Sequence, residues 1–172
     1  MPKLQFSVRW TLVATGVVIL TLVGYLWWKP HEPVPVRLAL ADGTVVWYRS
    51  DTRVTPAPGF PRPREMAVDG EILMKVPAAS EPLGVRTRLM QLSVTGPAII
   101  RITAHGNETG DQVEVLTGDV VVTKNYASSY MTPDHLAAGE MSMVNQTIDL
   151  MEKEHMGARE EIKLRAMAAK AR

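Results

Sequence analysis

Residues 36–49 read VRLALADGTVVWYR. Apolar side chains recur here at every second position or in a short β-branched run, not at the three- and four-residue steps of a helix. Val36 to Ala41 and Thr44 to Arg49 each fit a strand. Asp42-Gly43 between them supplies the positive-φ turn that a tight hairpin demands. The same punctuation continues downstream. Candidate strands cover 65–69, 71–76, 84–87, 89–95, 98–104, 112–116 and 119–124, set apart by Gly70, Gly96, the His105–Gly110 loop and Thr117-Gly118. Alternation is plain in Ile100-Arg-Ile-Thr and in Gln112-Val-Glu-Val-Leu. Residues 54–64 hold Pro56, Pro58, Pro61 and Pro63 and predict an irregular loop. Short strands at about ten-residue spacing predict a mainly β domain over 36–144, either a sandwich or a β-roll.

Toward the N-terminus, Pro30, Pro33 and Pro35 stiffen a stalk over residues 29–35. Ahead of it, residues 10–28 read WTLVATGVVILTLVGYLWW, without a charge. As a helix this stretch spans about 28 Å, close to the hydrocarbon thickness of a bilayer. Trp10 at one end and Tyr25, Trp27 and Trp28 at the other form aromatic anchors for the lipid bilayer, with Arg9 and Lys29 outside them. A cleaved signal peptide has a shorter apolar run and small residues at its end, which Trp27-Trp28-Lys29 does not offer. Residues 1–9 form a short tail. Lys3 and Arg9 before the span are matched by Lys29 and Arg37 after it, so charge alone does not orient it. A short basic tail before a first apolar segment favours the N-terminus inside and the β domain outside the cytoplasm.

Toward the C-terminus, Asn145 is placed to cap an amphipathic helix over 145–172. Ile148, Met151, His155, Ala158, Ile162 and Ala169 recur at three- or four-residue steps, and acids precede bases in the order the helix dipole favours. Ile148, Met151, Ala158 and Ile162 are the candidate partner contacts. The helix has three readings: it binds a partner, packs on its own domain, or frays.

The charge is +1, from 19 Lys and Arg against 18 Asp and Glu, which argues against electrostatic binding of nucleic acid. With no cysteine there is no disulfide framework and no thiol catalysis. His31, His105, His135 and His155 lie too far apart in sequence for a recognisable metal motif. Ser128-Ser129 lacks a glycine elbow, and no Gly-rich phosphate loop opens a helix. Met131, Met141, Met143, Met151 and Met156 read first as packing residues, with copper(I) or an adaptable partner as the alternative. No cofactor, metal or small-molecule substrate is implied, and the expectation is a protein that is not an enzyme.

Five stretches resemble the FecR domain. Leu40-Ala-Asp-Gly-Thr-Val-Val-Trp is similar to its opening hairpin. Arg64-Glu-Met-Ala-Val-Asp-Gly-Glu-Ile-Leu-Met-Lys-Val is similar to its Arg-to-Val strand pair. Leu92-Ser-Val-Thr-Gly-Pro-Ala-Ile-Ile-Arg-Ile is similar to its central element, with Pro97 where the family prefers Thr. Val113-Glu-Val-Leu-Thr-Gly-Asp-Val-Val-Val and Leu136-Ala-Ala-Gly-Glu-Met are similar to the next hairpin and the closing segment. The resemblance covers about 36–144 and implies a periplasmic β domain on the bacterial inner membrane. In that family a cytoplasmic anti-sigma domain precedes the span, and the outer domain receives a signal from a transporter. Only nine residues precede the span here. The main expectation is therefore an accessory or scaffolding subunit that braces a larger assembly of membrane proteins, respiratory or photosynthetic for instance. The alternative is a shortened signal relay that regulates a sigma factor or transporter response.

Overall fold

A computed structural model describes residues 35–170. The expected span, its anchors Trp10, Tyr25, Trp27 and Trp28, and most of the stalk lie outside these residues. Among the described residues no helix is long and apolar enough to cross a membrane.

The opening hairpin forms as expected. β1 (Val36–Ala39) pairs antiparallel with β2 (Val45–Tyr48), Val36 opposite Tyr48 and Ala39 opposite Val45. The turn is wider than two residues. The Gly43 amide donates to the Leu40 carbonyl and the Leu40 amide to the Thr44 carbonyl, and only Gly43 has positive φ. Asp42 turns inward instead, where its carboxylate accepts from the amide and hydroxyl of Thr44 at 2.9 and 2.7 Å.

Beyond the hairpin run β3 (Arg53–Pro56), β4 (Glu65–Val76), β5 (Leu83–Arg86), β6 (Met90–Ala104), β7 (Gly110–Lys124), β8 (Asp134–Leu136), β9 (Glu140–Asn145) and β10 (Leu150–His155). The helix α1 (Ala158–Lys170) closes the described chain. All ten strands join one sheet. The glycines expected to separate short strands instead lie inside β4, β6 and β7, where the strands bend and change partners. Residues 70–76 of β4 pair with β6, and 72–75 also with β2, whereas residues 65–69 pair with β3 and β5. β6 passes from β5 to β4 across Thr95–Pro97, and β7 from β9 to β8 across Leu116–Asp119. The bent halves share one core: Ile72, Met74, Ile100 and Ile102 from one side and Leu83, Val85, Leu92 and Val122 from the other. The domain is mainly β, a sheet bent back over its own apolar face.

Two bends explain their glycines. Gly70 has φ +122°, and a Cβ there would fall 2.4 Å from Thr52 Oγ1, the atom that accepts from the Glu71 amide and donates to the Glu71 carbonyl. Gly118 has φ +95°, and its Cβ would meet Ala98 at 2.6 Å. Beside that second bend β7 carries one extra residue, between Val115 and Thr117, against Ile99–Ile100, while across Gly118 β6 carries two extra residues between Thr95 and Ile99. The core-facing positions shift accordingly, from 113 and 115 to 120 and 122.

Three expectations need correction. The proline-rich stretch 54–64 is not wholly irregular, because residues 53–56 pair with β4, with Pro56 at the end of an edge strand. The β domain does not end at 144, and the helix does not begin at 145. Residues 150–155 pair with β9 across a turn in which Asp149 adopts φ 50°. Pairing with β9 overrides a helical spacing in a segment whose edge position leaves its charged residues exposed.

Candidate interaction surface

On β4, β6 and β7 the side chains out of phase with the core make a second face. Its apolar end holds Leu73, Ile99 and Leu116, with Trp47 from β2 and Met141 from β9. The helix covers this end. Gly157 caps it: its carbonyl accepts from the Glu160 and Glu161 amides at 2.9 and 3.0 Å, and the Glu160 carboxylate reaches back to the Gly157 amide at 3.3 Å. Leu164, Met167 and Ala168, at helical spacing, seat α1 on the sheet, and Leu164 is 0% exposed.

The polar end is a chain of charges. Glu114, 1% exposed, accepts from Arg101 Nη2 at 2.5 Å and from Gln112 at 2.9 Å. Arg101 and Arg49 flank Glu71 at 3.9 Å each. The sheet thus supplies the counter-charge for a carboxylate that burial alone would penalise.

Between α1 and the strands lies a groove of about 490 Å³. Trp47, Leu73 and Ile99 line it, and Arg37, Lys75 and Arg165 bring positive charge to it.

The predicted contact residues do not form one stripe. Ile148 sits in the β9–β10 turn, 66% exposed; Met151 is on β10 and packs against the main core; Ala158 opens α1; Ile162 is 69% exposed on the helix. The stripe that does pack, Leu164-Met167-Ala168, is marked in the sequence by its helical spacing after Gly157.

Other polar clusters hold the fold. Arg64 donates to Asp42 at 2.8 Å and to the Glu81 carbonyl at 2.5 Å. Burial pushes the Asp42 carboxyl up, but its bonds from Thr44 and Arg64 outweigh that and hold it below its ordinary value. Asp111 accepts from the Thr87 hydroxyl at 2.6 Å and the Leu89 amide at 3.0 Å, pinning the start of β6. Ser128 lies 2.9 Å from Lys124 Nζ, but the ammonium also donates to the Asp149 carboxylate at 2.8 Å and carbonyl at 2.9 Å. That cluster ties β7 to the β9–β10 turn. No group of three or more His, Asp or Glu among the described residues is placed to hold a metal ion.

The family described as FecR protein matches residues 34–121, more than half of the chain. The chain belongs to the FecR family. Two crystal structures of a candidate anti-sigma factor from Parabacteroides distasonis, at 1.65 and 2.50 Å resolution, are similar to it. Each is 26% identical with a TM-score of 0.64; they cover 74% and 73% of this chain, and it spans 60% and 57% of theirs. No curated protein matches the sequence. The FecR match takes in β1 to β6 and ends inside β7, so the Leu136–Met141 segment, β10 and the helix lie beyond it.

Proposed function

We propose that the chain is a regulatory relay of the FecR type, acting by protein contact to control a sigma factor's transcriptional response. The FecR match over residues 34–121 carries this reading. The likeness to a candidate anti-sigma factor supports it, and neither likeness favours a brace for a respiratory or photosynthetic assembly. The apolar segment 10–28 would anchor the chain in the inner membrane and hold the β domain outside the cytoplasm. Its partners are then regulatory proteins, and its work is binding, not catalysis.

The test compares transcripts from the source bacterium with and without the gene. A relay changes a discrete set of transcripts whose promoters share one recognition sequence, and the full-length chain restores the pattern. An unchanged transcript set, together with loss of a membrane complex that normally copurifies with the tagged chain, would return the role to bracing.

A further inference from the structure

The groove beside α1 combines features that the relay reading leaves unused. Trp47 and Ile99 are only half-buried there, because the helix reaches the sheet through few apolar residues and presents short Ala168 and Ala169 to the groove. An apolar floor is therefore left partly open beneath a polar rim. The charge on that rim has one sign: Arg37 on β1, Lys75 on β4 and Arg165 on α1 line the groove, and no carboxylate does among the described residues. Arg165 is bonded to Glu161 at 2.6 Å, which spends part of its charge. Arg37 and Lys75 are exposed, and among the described residues neither has a carboxylate within ion-pair distance.

We propose that this groove binds a short acidic peptide segment of a partner protein, with one apolar or aromatic side chain on Trp47 and Ile99 and flanking carboxylates on Arg37 and Lys75. A floor of this kind rewards burial of a single large side chain. Arg37 stands beside Trp47 on the neighbouring β1, and Lys75 stands on β4 between the strands that carry Trp47 and Ile99, so both cations border the floor, select the sign of what flanks an anchor there and reject basic sequences. The volume suits such an anchor with part of its backbone.

The experiment uses the full chain in a neutral detergent and a fluorescein-labelled peptide, Asp-Glu-Phe-Glu-Asp, read by fluorescence anisotropy. Saturable binding is expected, weakening steeply with salt, with no saturation by Lys-Lys-Phe-Lys-Lys. Replacing the Phe by Ser should weaken it about tenfold, the scale of losing one buried side chain. The double change Arg37→Glu with Lys75→Glu should also weaken it about tenfold, since each reversal turns an exposed attraction into a repulsion. Both positions are exposed on strands, so circular dichroism should be unaltered. Lys163→Glu, on the helix but not lining the groove, should leave binding as it was. Equal binding of acidic and basic peptides, binding untouched by the double change, or no saturation at millimolar peptide would each overturn the proposal. So would displacement of the peptide by short-chain phosphatidylglycerol at lower concentration than by its phosphatidylcholine analogue, which would make the groove a lipid headgroup site.

Discussion

The two faces of β4, β6 and β7 use the same strands to opposite ends. Inward, Met74, Ile100 and Ile102 are 0% exposed and belong to a cluster that joins both bent halves of the sheet. Outward, the same strands present Leu73, Ile99 and Leu116 to a helix and Glu71, Arg101 and Glu114 to one another. The inner face is sealed by the fold itself and cannot open without unfolding it. The outer face is covered only in part, by a separate element that enters late in the chain and is seated by three side chains. Such an element opens at lower cost than the core does, so the outer face can be uncovered without unfolding the inner one.

The inner face should give the largest effect. Ile100→Ala removes a buried branched side chain from the middle of β6 and is expected to cost about 2–5 kcal/mol. Chemical denaturation of the full chain in detergent, followed by β circular dichroism, measures it. A cost below about 1 kcal/mol would mean the shared core is looser than its burial indicates.

On the outer face the charged end comes next. Arg101→Ala leaves Glu114 buried beside Gln112 without its cation and should cost about 2–3 kcal/mol. Arg101→Met combined with Glu114→Leu removes both charges and should recover most of that loss. If single and double changes cost the same, the pair contributes no more than its packing.

Leu164→Ala tests the helix-covered end. By side-chain size it resembles Ile100→Ala, but its expected consequence differs in kind. Hydrogen exchange should quicken across α1 while β6 and β7 amides keep their protection. Global stability should fall by about 1–2 kcal/mol, less than for a core site, because the helix can release alone. Equal loss of protection in the strands would erase the distinction between the faces.

These contrasts also explain what the sequence made legible. The hairpin at 36–49 and the mainly β character came directly from alternation, because both rest on local pattern. Gly70, Gly96 and Gly118 were read as breaks because a glycine at a turn and a glycine at a bend look alike in one dimension. At Gly70 and Gly118 what separates them is the close approach of Thr52 and of Ala98, supplied by distant chain, whereas Gly96 has open space around it. Residues 150–155 carry a helical spacing in Ile148, Met151 and His155, and the pairing with β9 that decides the matter is tertiary. Ile162 drew attention as an apolar residue, but Leu164 is the one that packs. The groove was not legible at all, since it exists only where the helix fails to cover Trp47 and Ile99.

The inner face has one exception, and it gives the smallest expected effect. Val120, Val122 and Lys124 share a side of β7, so the inward row ends on a lysine whose side chain is 2% exposed. Its charge is answered by Asp149, whose carboxyl is pushed down to about 2, first by the hydrogen bond from Lys124 and further by that from the Ser129 amide. The ordinary value is 3.8, so the folded state binds this proton less readily than the unfolded one. The stabilisation is therefore complete above about pH 4 and is lost as the pH falls through about 2. Asp149→Asn should lower stability at neutral pH and flatten its decline between pH 4 and 2. Asp42 is held low by Thr44 and Arg64, and Glu140 by Lys153 and the Ala137 amide, so part of the acid-dependent loss should persist in the variant. Urea midpoints of both proteins at half-unit steps from pH 7 to pH 2 measure this. Parallel curves would mean that Asp149 titrates alike in the folded and unfolded chain, and that Lys124 ends the inner row without help from its carboxylate.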